Sequence, residues 1–409
     1  MVEDTPLTGQ LEAAARDRLR VLVVGAGVAG VCVAGLLRRR GLHPVVLERS
    51  PRGADEGYML GLMPLVEAPL RRLGARDRYL RQSVAMHRYQ LRSSRGRVIR
   101  TYSFDGVFAR YGRYGGIGRG ELIEAMAGPG LPATLGASVA ALVQDAAGAT
   151  ARIQTPDGPV VARFDLVIAA DGMNSTTRAL VVDPADVERF DTGWGGWVAW
   201  SDAGTDTTSN DLYAETWGRG FFIGRYPVRH RVGVFVGGPR GRTDAGPAAF
   251  VDHLRTRIAE LDRPTADALA AIESADSPFL WKLADARSPR WALGRVILLG
   301  DAAAGFLPTA GVGAAMAIES AAVLDTHLAG VPATGVARAL LDYEQAQRPR
   351  VLAAHENSRR LAKLMFATGR AFCSLRDLAA RFMTVSTALG PIISLHRSAP
   401  LTSSLRPRR

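Results

Sequence analysis

Short apolar runs alternate with helical stretches over the first fifty residues, and longer alternating patterns follow. Arg20 to Val24 is apolar and ends in glycine, Val28 to Arg40 has helical spacing, and Pro44 to Leu47 is a second apolar run. Strand, helix and strand at this spacing make a β-α-β unit of the length a dinucleotide fold uses. Segment 86 to 104 alternates apolar and polar residues about Ser93-Ser94-Arg95-Gly96, which predicts a hairpin. Gly120 to Ala127 reads as a helix. Val139 to Val143, Ala149 to Gln154 and Val160 to Phe164 predict a meander, with Pro156-Asp157-Gly158 as a turn. Leu166 to Ala170 reads as a buried strand.

From about 185 to 290 the pattern changes. Trp194 to Trp200, Phe221 to Tyr226 and Val232 to Val236 predict an antiparallel sheet, followed by a helix over Ala248 to Leu261. Arg295 to Leu299 returns to the apolar pattern of the first domain, and Gly313 to Leu328 and Val336 to Glu356 read as helices. In the tail 359 to 383, Leu361, Leu364, Met365, Phe372, Leu375, Leu378 and Phe382 recur at helical spacing with Arg and Lys between them. The expected class is α/β: a Rossmann-like domain with an inserted antiparallel β-sheet domain and C-terminal helices. The expected boundaries are 18–85 with 105–184 and 291–355, then 86–104 with 185–290, then 356–409.

Composition narrows the functional classes. The chain has 409 residues, a net charge of +12 and 51 basic residues. Lysine occurs only at Lys282 and Lys363, so 49 of the 51 are arginine, and they are spread along the chain. No zinc-finger spacing or aromatic-interleaved basic strand accompanies them, which argues against a nucleic-acid partner. Cys32 and Cys373 lie far apart in helical segments, so no disulfide framework is expected and a cytoplasmic location is. No apolar stretch reaches the length of a membrane span. The histidines show no metal-ligand spacing, and no serine sits in a nucleophile elbow.

Three motifs carry chemistry. In Gly25-x-Gly27-x-x-Gly30 the glycines allow a tight turn and a close backbone approach to a diphosphate, while the helix start at Val28 and Ala29 offers free N–H groups. Glu48 ends the second strand, where a carboxylate accepts from ribose hydroxyls. This motif alone does not separate NAD from FAD. After the strand Arg295 to Leu299 comes Gly300-Asp301-Ala302-Ala303, then Pro308, Gly311 and Gly313 before a helix. An acid beside a second glycine-rich helix start holds a polyol, and the helix amides face the electron-rich edge of a ring system. A buried helix start capped by Asp301 is the plain alternative. The third is Asp171-Gly172-x-x-Ser175-x-x-Arg178, which also reads as an N-capped helix after a turn.

The order of these motifs resembles the class A flavoprotein monooxygenases, the para-hydroxybenzoate-hydroxylase-like family, over roughly residues 18 to 355. The resemblance implies FAD contacts from Gly25, Gly27, Val28, Ala29, Gly30, Glu48, Arg49, Arg119, Val139, Asp171, Asp301, Pro308, Gly311, Gly313, Ala314 and Ala315. Asp301 would take the ribityl chain, Glu48 the adenosine ribose, Arg119 the diphosphate side, and the amides of Gly313 to Ala315 the flavin pyrimidine edge. Asp171 and Arg178 belong to a motif tied to both FAD and NAD(P)H. Ala304, Ala315 and Ser320 depart from the His, Asn and Asp common in the family. Tyr226 and Pro227 are expected to line a substrate pocket, and no catalytic acid or base is identified.

The implied function is hydroxylation or epoxidation of an apolar, electron-rich small molecule of secondary metabolism, using NAD(P)H and O2. A redox-neutral cyclisation on the same FAD scaffold is the alternative, motivated by the three departures. The basic tail 359 to 383 also permits peripheral membrane contact, against which a helix packed on the body is expected. Trp194, Trp197 and Trp200 are expected to pack the central sheet.

Overall fold

The computed structural model describes residues 2–52, 57–108, 111–202, 211–384 and 390–397, with the backbone alone for residues 391 and 392. A first sheet has seven strands in the order Val2–Asp4, Leu131–Leu135, Val45–Glu48, Val21–Val24, Leu166–Ala169, Val296–Leu298, Ala292–Leu293. Every pairing is parallel except the last. The central strands are apolar throughout because both faces are covered. Val21, Val23, Val46 and Ile168 meet the helices Val28–Arg39 and Gly313–His327 on one side. Leu22, Val24, Val45, Leu47 and Val167 meet the meander Ser138–Asp145, Gly148–Thr155 and Gly158–Phe164 on the other.

The predicted β-α-β unit, hairpin and meander are all present. The sequence reading did not include the edge strand Val2–Asp4 or the helix Leu7–Ala14 that follows it. Gln10 on that helix explains their place: its amide donates to the Val46 carbonyl at 3.1 Å and accepts from the Val46 N–H at 2.9 Å. A buried glutamine standing in for a strand partner leaves no apolar periodicity to read.

The second sheet also has seven strands: Phe279–Arg287, Glu188–Asp202, Arg231–Pro239, Phe222–Val228, Leu212–Trp217, Arg88–Arg92, Val98–Ser103. One face, with Ile223, Val234 and Val236, packs under the helices Pro247–Arg257 and Arg263–Ser274. The helix expected over Ala248 to Leu261 is present but shorter, and the second helix, beyond Leu261, was not expected from the sequence. The first ends at Arg257, and Asp262 caps the second by accepting from the Thr265 N–H at 3.1 Å, with Pro264 in its first turn. Trp194 stacks on Phe366 at 4.5 Å, Trp197 donates to the Thr243 carbonyl at 3.0 Å, and the Arg231 guanidinium lies 3.9 Å over Trp200. All three tryptophans pack the sheet.

The helix expected to end at Glu356 runs unbroken from Val336 to Met365, through Pro349. Its buried side explains its persistence. Arg350 forms a two-point pair with Glu319 on the neighbouring helix, at 2.7 and 3.0 Å, and both side chains are almost fully buried. Arg350→Met is expected to cost about 3–5 kcal/mol of stability, read by chemical denaturation, because it leaves Glu319 charged in the core. After a break at 366–369, the helix Arg370–Phe382 is held to the body by Arg376, which donates to the Trp217 and Leu364 carbonyls at 2.6 and 3.1 Å. No helix among the described residues is long and apolar enough to cross a membrane.

Candidate active site

The two sheets and the C-terminal helices enclose a cavity of about 820 Å³. It begins at the carboxyl ends of Val21–Val24 and Leu166–Ala169, the crevice where open α/β sheets bind ligands. It runs past Asp301 and Pro308 and ends against Phe222, Phe235, Trp281 and Leu283 of the second sheet. Leu361, Met365, Phe372 and Leu375 close it from the C-terminal helices.

At the first end, Gly25 has φ +103° and a Cβ there would lie 2.5 Å from the Ala170 carbonyl oxygen. A Cβ on Gly30 would overlap the Gly25 carbonyl oxygen. The turn is thus drawn as tight as backbone permits, and the helix that starts at Val28 aims its free N–H groups at the cavity mouth. Glu48 holds this turn, accepting from the Ala26 N–H at 2.8 Å and the Ser50 N–H at 2.9 Å. Gly27, Val28 and Ala29 line the cavity, whereas Arg49 beside Glu48 is exposed.

Arg119 starts the helix Arg119–Ala127 and lines the same end. Its Nη2 lies 3.8 Å from where a Cβ on Gly27 would stand, and its side chain makes no hydrogen bond or ion pair among the described residues. Asp301 likewise has no hydrogen-bond partner there. Burial pushes its carboxyl up to about 6 from an ordinary 3.8, with Arg119 pulling the other way. The two motifs touch: a Cβ on Gly300 would come 2.8 Å from the Ala29 Cβ.

The backbone behind Asp301 is fixed at three points. Arg178 donates to the Ala302 carbonyl at 2.8 Å, Ala303 accepts from the Ser288 N–H at 2.9 Å, and His355 bonds the Gly305 carbonyl at 3.1 Å. Arg359 adds a two-point pair with Asp285, which lies 3.6 Å from His355. Sequence reasoning missed His355 and Asp285. Their roles depend on the long helix and a sheet strand meeting behind the turn, which no local pattern announces.

The Asp171 motif takes its plain form. Ser175 caps a short helix and donates to Asp171 at 2.5 Å, and the other Asp171 oxygen accepts from the Thr177 N–H at 3.0 Å. The neighbours Ala170 and Gly172 face the cavity. Val139 lies in the core behind the sheet with Leu7, Ala137 and Ile153, and does not line the cavity. Pro308, Gly311, Gly313 and Ala314 line it. Ala315 is fully buried and does not line the cavity; its N–H lies in the unpaired first turn of Gly313–His327. Ser320 does not line this cavity and accepts from Gln347 at 3.1 Å.

Strand alternation separates the expected pair at the substrate end. Tyr226 lines the cavity; Pro227 is buried with its carbonyl against Gly116. Sequence reasoning also missed Glu215, which accepts from Tyr226, from Tyr89 on a neighbouring strand and from Trp217 on its own.

These features fit FAD. A turn that a Cβ on Gly25 or Gly30 would fill suits a diphosphate, an arginine whose side chain has no hydrogen bond among the described residues adjoins it, and a half-buried acid without a hydrogen-bond partner among them suits a polyol. The comparisons with known proteins agree. Residues 18–358 match the family described as FAD binding domain. The chain is 32% identical to the 3-amino-4-hydroxybenzoate 2-monooxygenase of Streptomyces cremeus, over 95% of this chain and 98% of that protein. It is 30% identical to the 6-hydroxynicotinate 3-monooxygenase of Bordetella bronchiseptica, over 75% and 81% of the two chains. In fold it matches Klebsiella pneumoniae HpxO complexed with FAD and uric acid, with a TM-score of 0.81, 23% identity, and coverage of 94% and 98%. A glycine turn at a helix start, an acid without a hydrogen-bond partner among the described residues and these relatives lead to one assignment: the chain belongs to the class A flavoprotein monooxygenases, FAD-dependent oxidoreductases that use NAD(P)H and O2.

Proposed function

We propose that the enzyme hydroxylates the ring of an apolar, electron-rich aromatic in secondary metabolism. The observation that carries this reading is the cavity itself, which runs from the Gly25 and Asp301 end to a wall of large apolar and aromatic side chains, Phe222, Phe235, Trp281, Leu283 and Met365. Bound FAD supplies the electrons taken from NAD(P)H and the activation of O2. The chain's own part is to bind, place and shield.

In this reading, Gly25, Gly27, Gly30, Val28 and Ala29 hold the diphosphate, with Arg119 neutralising its charge. Asp301 accepts from the ribityl hydroxyls, and Glu48 retains acceptor capacity for a ribose beside its two backbone bonds. The N–H groups of Gly313, Ala314 and Ala315 stabilise negative charge at the helix start. Asp171 serves by capping, and Arg49 and Val139 contribute no cavity-facing side chain. The described residues of 18–85, 105–184 and 291–355 serve as the cofactor unit, those of 86–104 and 185–290 as the substrate wall, and those of the segment 356–409 as the cover that keeps water out. Two buried thiols, Cys32 and Cys373, suit a cytoplasmic enzyme.

The relatives named above act on ring acids bearing amino or hydroxyl groups, so 3-amino-4-hydroxybenzoate, 6-hydroxynicotinate and the decarboxylated analogue 2-aminophenol form a first panel. Aerobic NAD(P)H oxidation is expected to rise with an accepted member of the panel, and the product to carry one oxygen from labelled O2. Product formed without oxygen and without NAD(P)H contradicts this reading and selects the redox-neutral alternative.

A further inference from the structure

The second-sheet wall of the cavity carries one acid among the described residues, Glu215, set among aromatic side chains, with Arg376 of the C-terminal helix lying against Trp217 beside it. Glu215 stands on the strand Leu212–Trp217, directly opposite Gly224 on Phe222–Val228. Because Gly224 has no side chain, the Tyr226 ring lies over it and reaches the acid. Tyr226 donates to Glu215 Oε1 at 2.9 Å, while Tyr89 and Trp217 donate to Oε2 at 2.6 and 2.9 Å. Tyr89 comes from the other neighbouring strand, Arg88–Arg92. Burial raises the Glu215 carboxyl above its ordinary value, and the three hydrogen bonds draw it back. No Arg, Lys or His forms an ion pair with it among the described residues.

Three converging neutral donors with no counter-ion are a built site. They orient a carboxylate and help keep it charged, but they do not neutralise it. A carboxylate has about four acceptor positions. Oε2 has two donors and Oε1 has one, so one position on Oε1 is open on a group that lines the cavity.

We propose that Glu215 is a substrate-anchoring residue: its Oε1 accepts one hydrogen bond from an O–H or N–H on the aromatic substrate. The pocket therefore takes phenols and arylamines that present a donor at this end. It rejects rings that place a carboxylate against Glu215 Oε1, since Arg360 and Arg376 line the cavity but neither pairs with this acid among the described residues, and ethers, which offer no proton. This rests on reading the cavity as the substrate pocket of a ring-hydroxylating enzyme, and it names the class of substrate that pocket selects.

The test is equilibrium binding to the FAD-loaded enzyme, by calorimetry or by the change in flavin absorbance. Three probes of one ring size are used: 2-naphthol, 2-methoxynaphthalene and 2-naphthoate. A hydrogen bond to a charged group predicts roughly 10- to 100-fold tighter binding of 2-naphthol than of either analogue. Glu215→Gln is expected to narrow that preference to within about 3-fold, a loss matching most of one charged hydrogen bond, with FAD content and melting temperature retained. Tyr226→Phe, which removes the other donor to Oε1, is expected to keep the preference and guards against a Glu215 variant that fails to fold. Equal affinities for the three probes overturn the anchor, as does an undiminished preference in a folded Glu215→Gln enzyme; both leave the monooxygenase reading standing. Failure to bind any of the three sinks the anchor and the aromatic pocket together.

Discussion

Gly30→Ala is expected to give a folded protein that binds FAD at least about 100-fold more weakly than wild type, or is colourless as purified. The added Cβ would overlap the Gly25 carbonyl oxygen, which belongs to backbone and has no rotamer by which to escape. The turn must open, and the first amides of Val28–Arg39 then move away from the diphosphate they are placed to bind. Losing two such charged hydrogen bonds, at about 1.5–3 kcal/mol each, accounts for that factor. Circular dichroism distinguishes this outcome from global unfolding, and FAD titration by fluorescence quenching gives the affinity. An alanine variant with wild-type FAD affinity would remove the turn from the cofactor site.

Asp301→Asn is expected to act in opposite directions on the cofactor and on the bare chain. FAD affinity falls by roughly 10-fold or more, since a charged acceptor for hydroxyl groups becomes a neutral one. The apo protein gains stability at neutral pH. Burial raises the Asp301 carboxyl from 3.8 to about 6 in the folded chain, so between those values the unfolded chain binds fewer protons than the folded one. Stability then falls as pH rises through this window and levels off above it. The difference between wild type and Asp301→Asn should grow from about pH 4 to about pH 6, reaching no more than about 3 kcal/mol, because the cavity admits water. Denaturation of both apo proteins across this range tests it; parallel curves would show that Asp301 does not pay for its burial.

Much of this arrangement is legible in the sequence because it is local. The β-α-β unit, the two glycine turns and the meander are each written in neighbouring residues. What escaped was set by tertiary contacts. Gln10 joins a helix to a sheet edge by amide hydrogen bonds, and Val336–Met365 passes through Pro349 because its buried face holds it. The Asp171 motif offered a cofactor contact and a helix cap; Ser175 and Thr177 occupy its carboxylate as a cap. At the substrate end a proline beside a tyrosine pointed to the right strand, yet strand alternation turns Pro227 away. The charged group there, Glu215, lies eleven residues before Tyr226 in sequence and is joined to it only through sheet register.

The cavity between Gly25 and Asp301 is expected to hold one FAD per chain, and titration of the purified wild-type chain with FAD, beside Gly30→Ala, decides the matter. Saturation at one FAD per wild-type chain is expected, with a yellow protein, and strongly weakened uptake in the variant. A colourless wild-type protein that takes up no added FAD would contradict this.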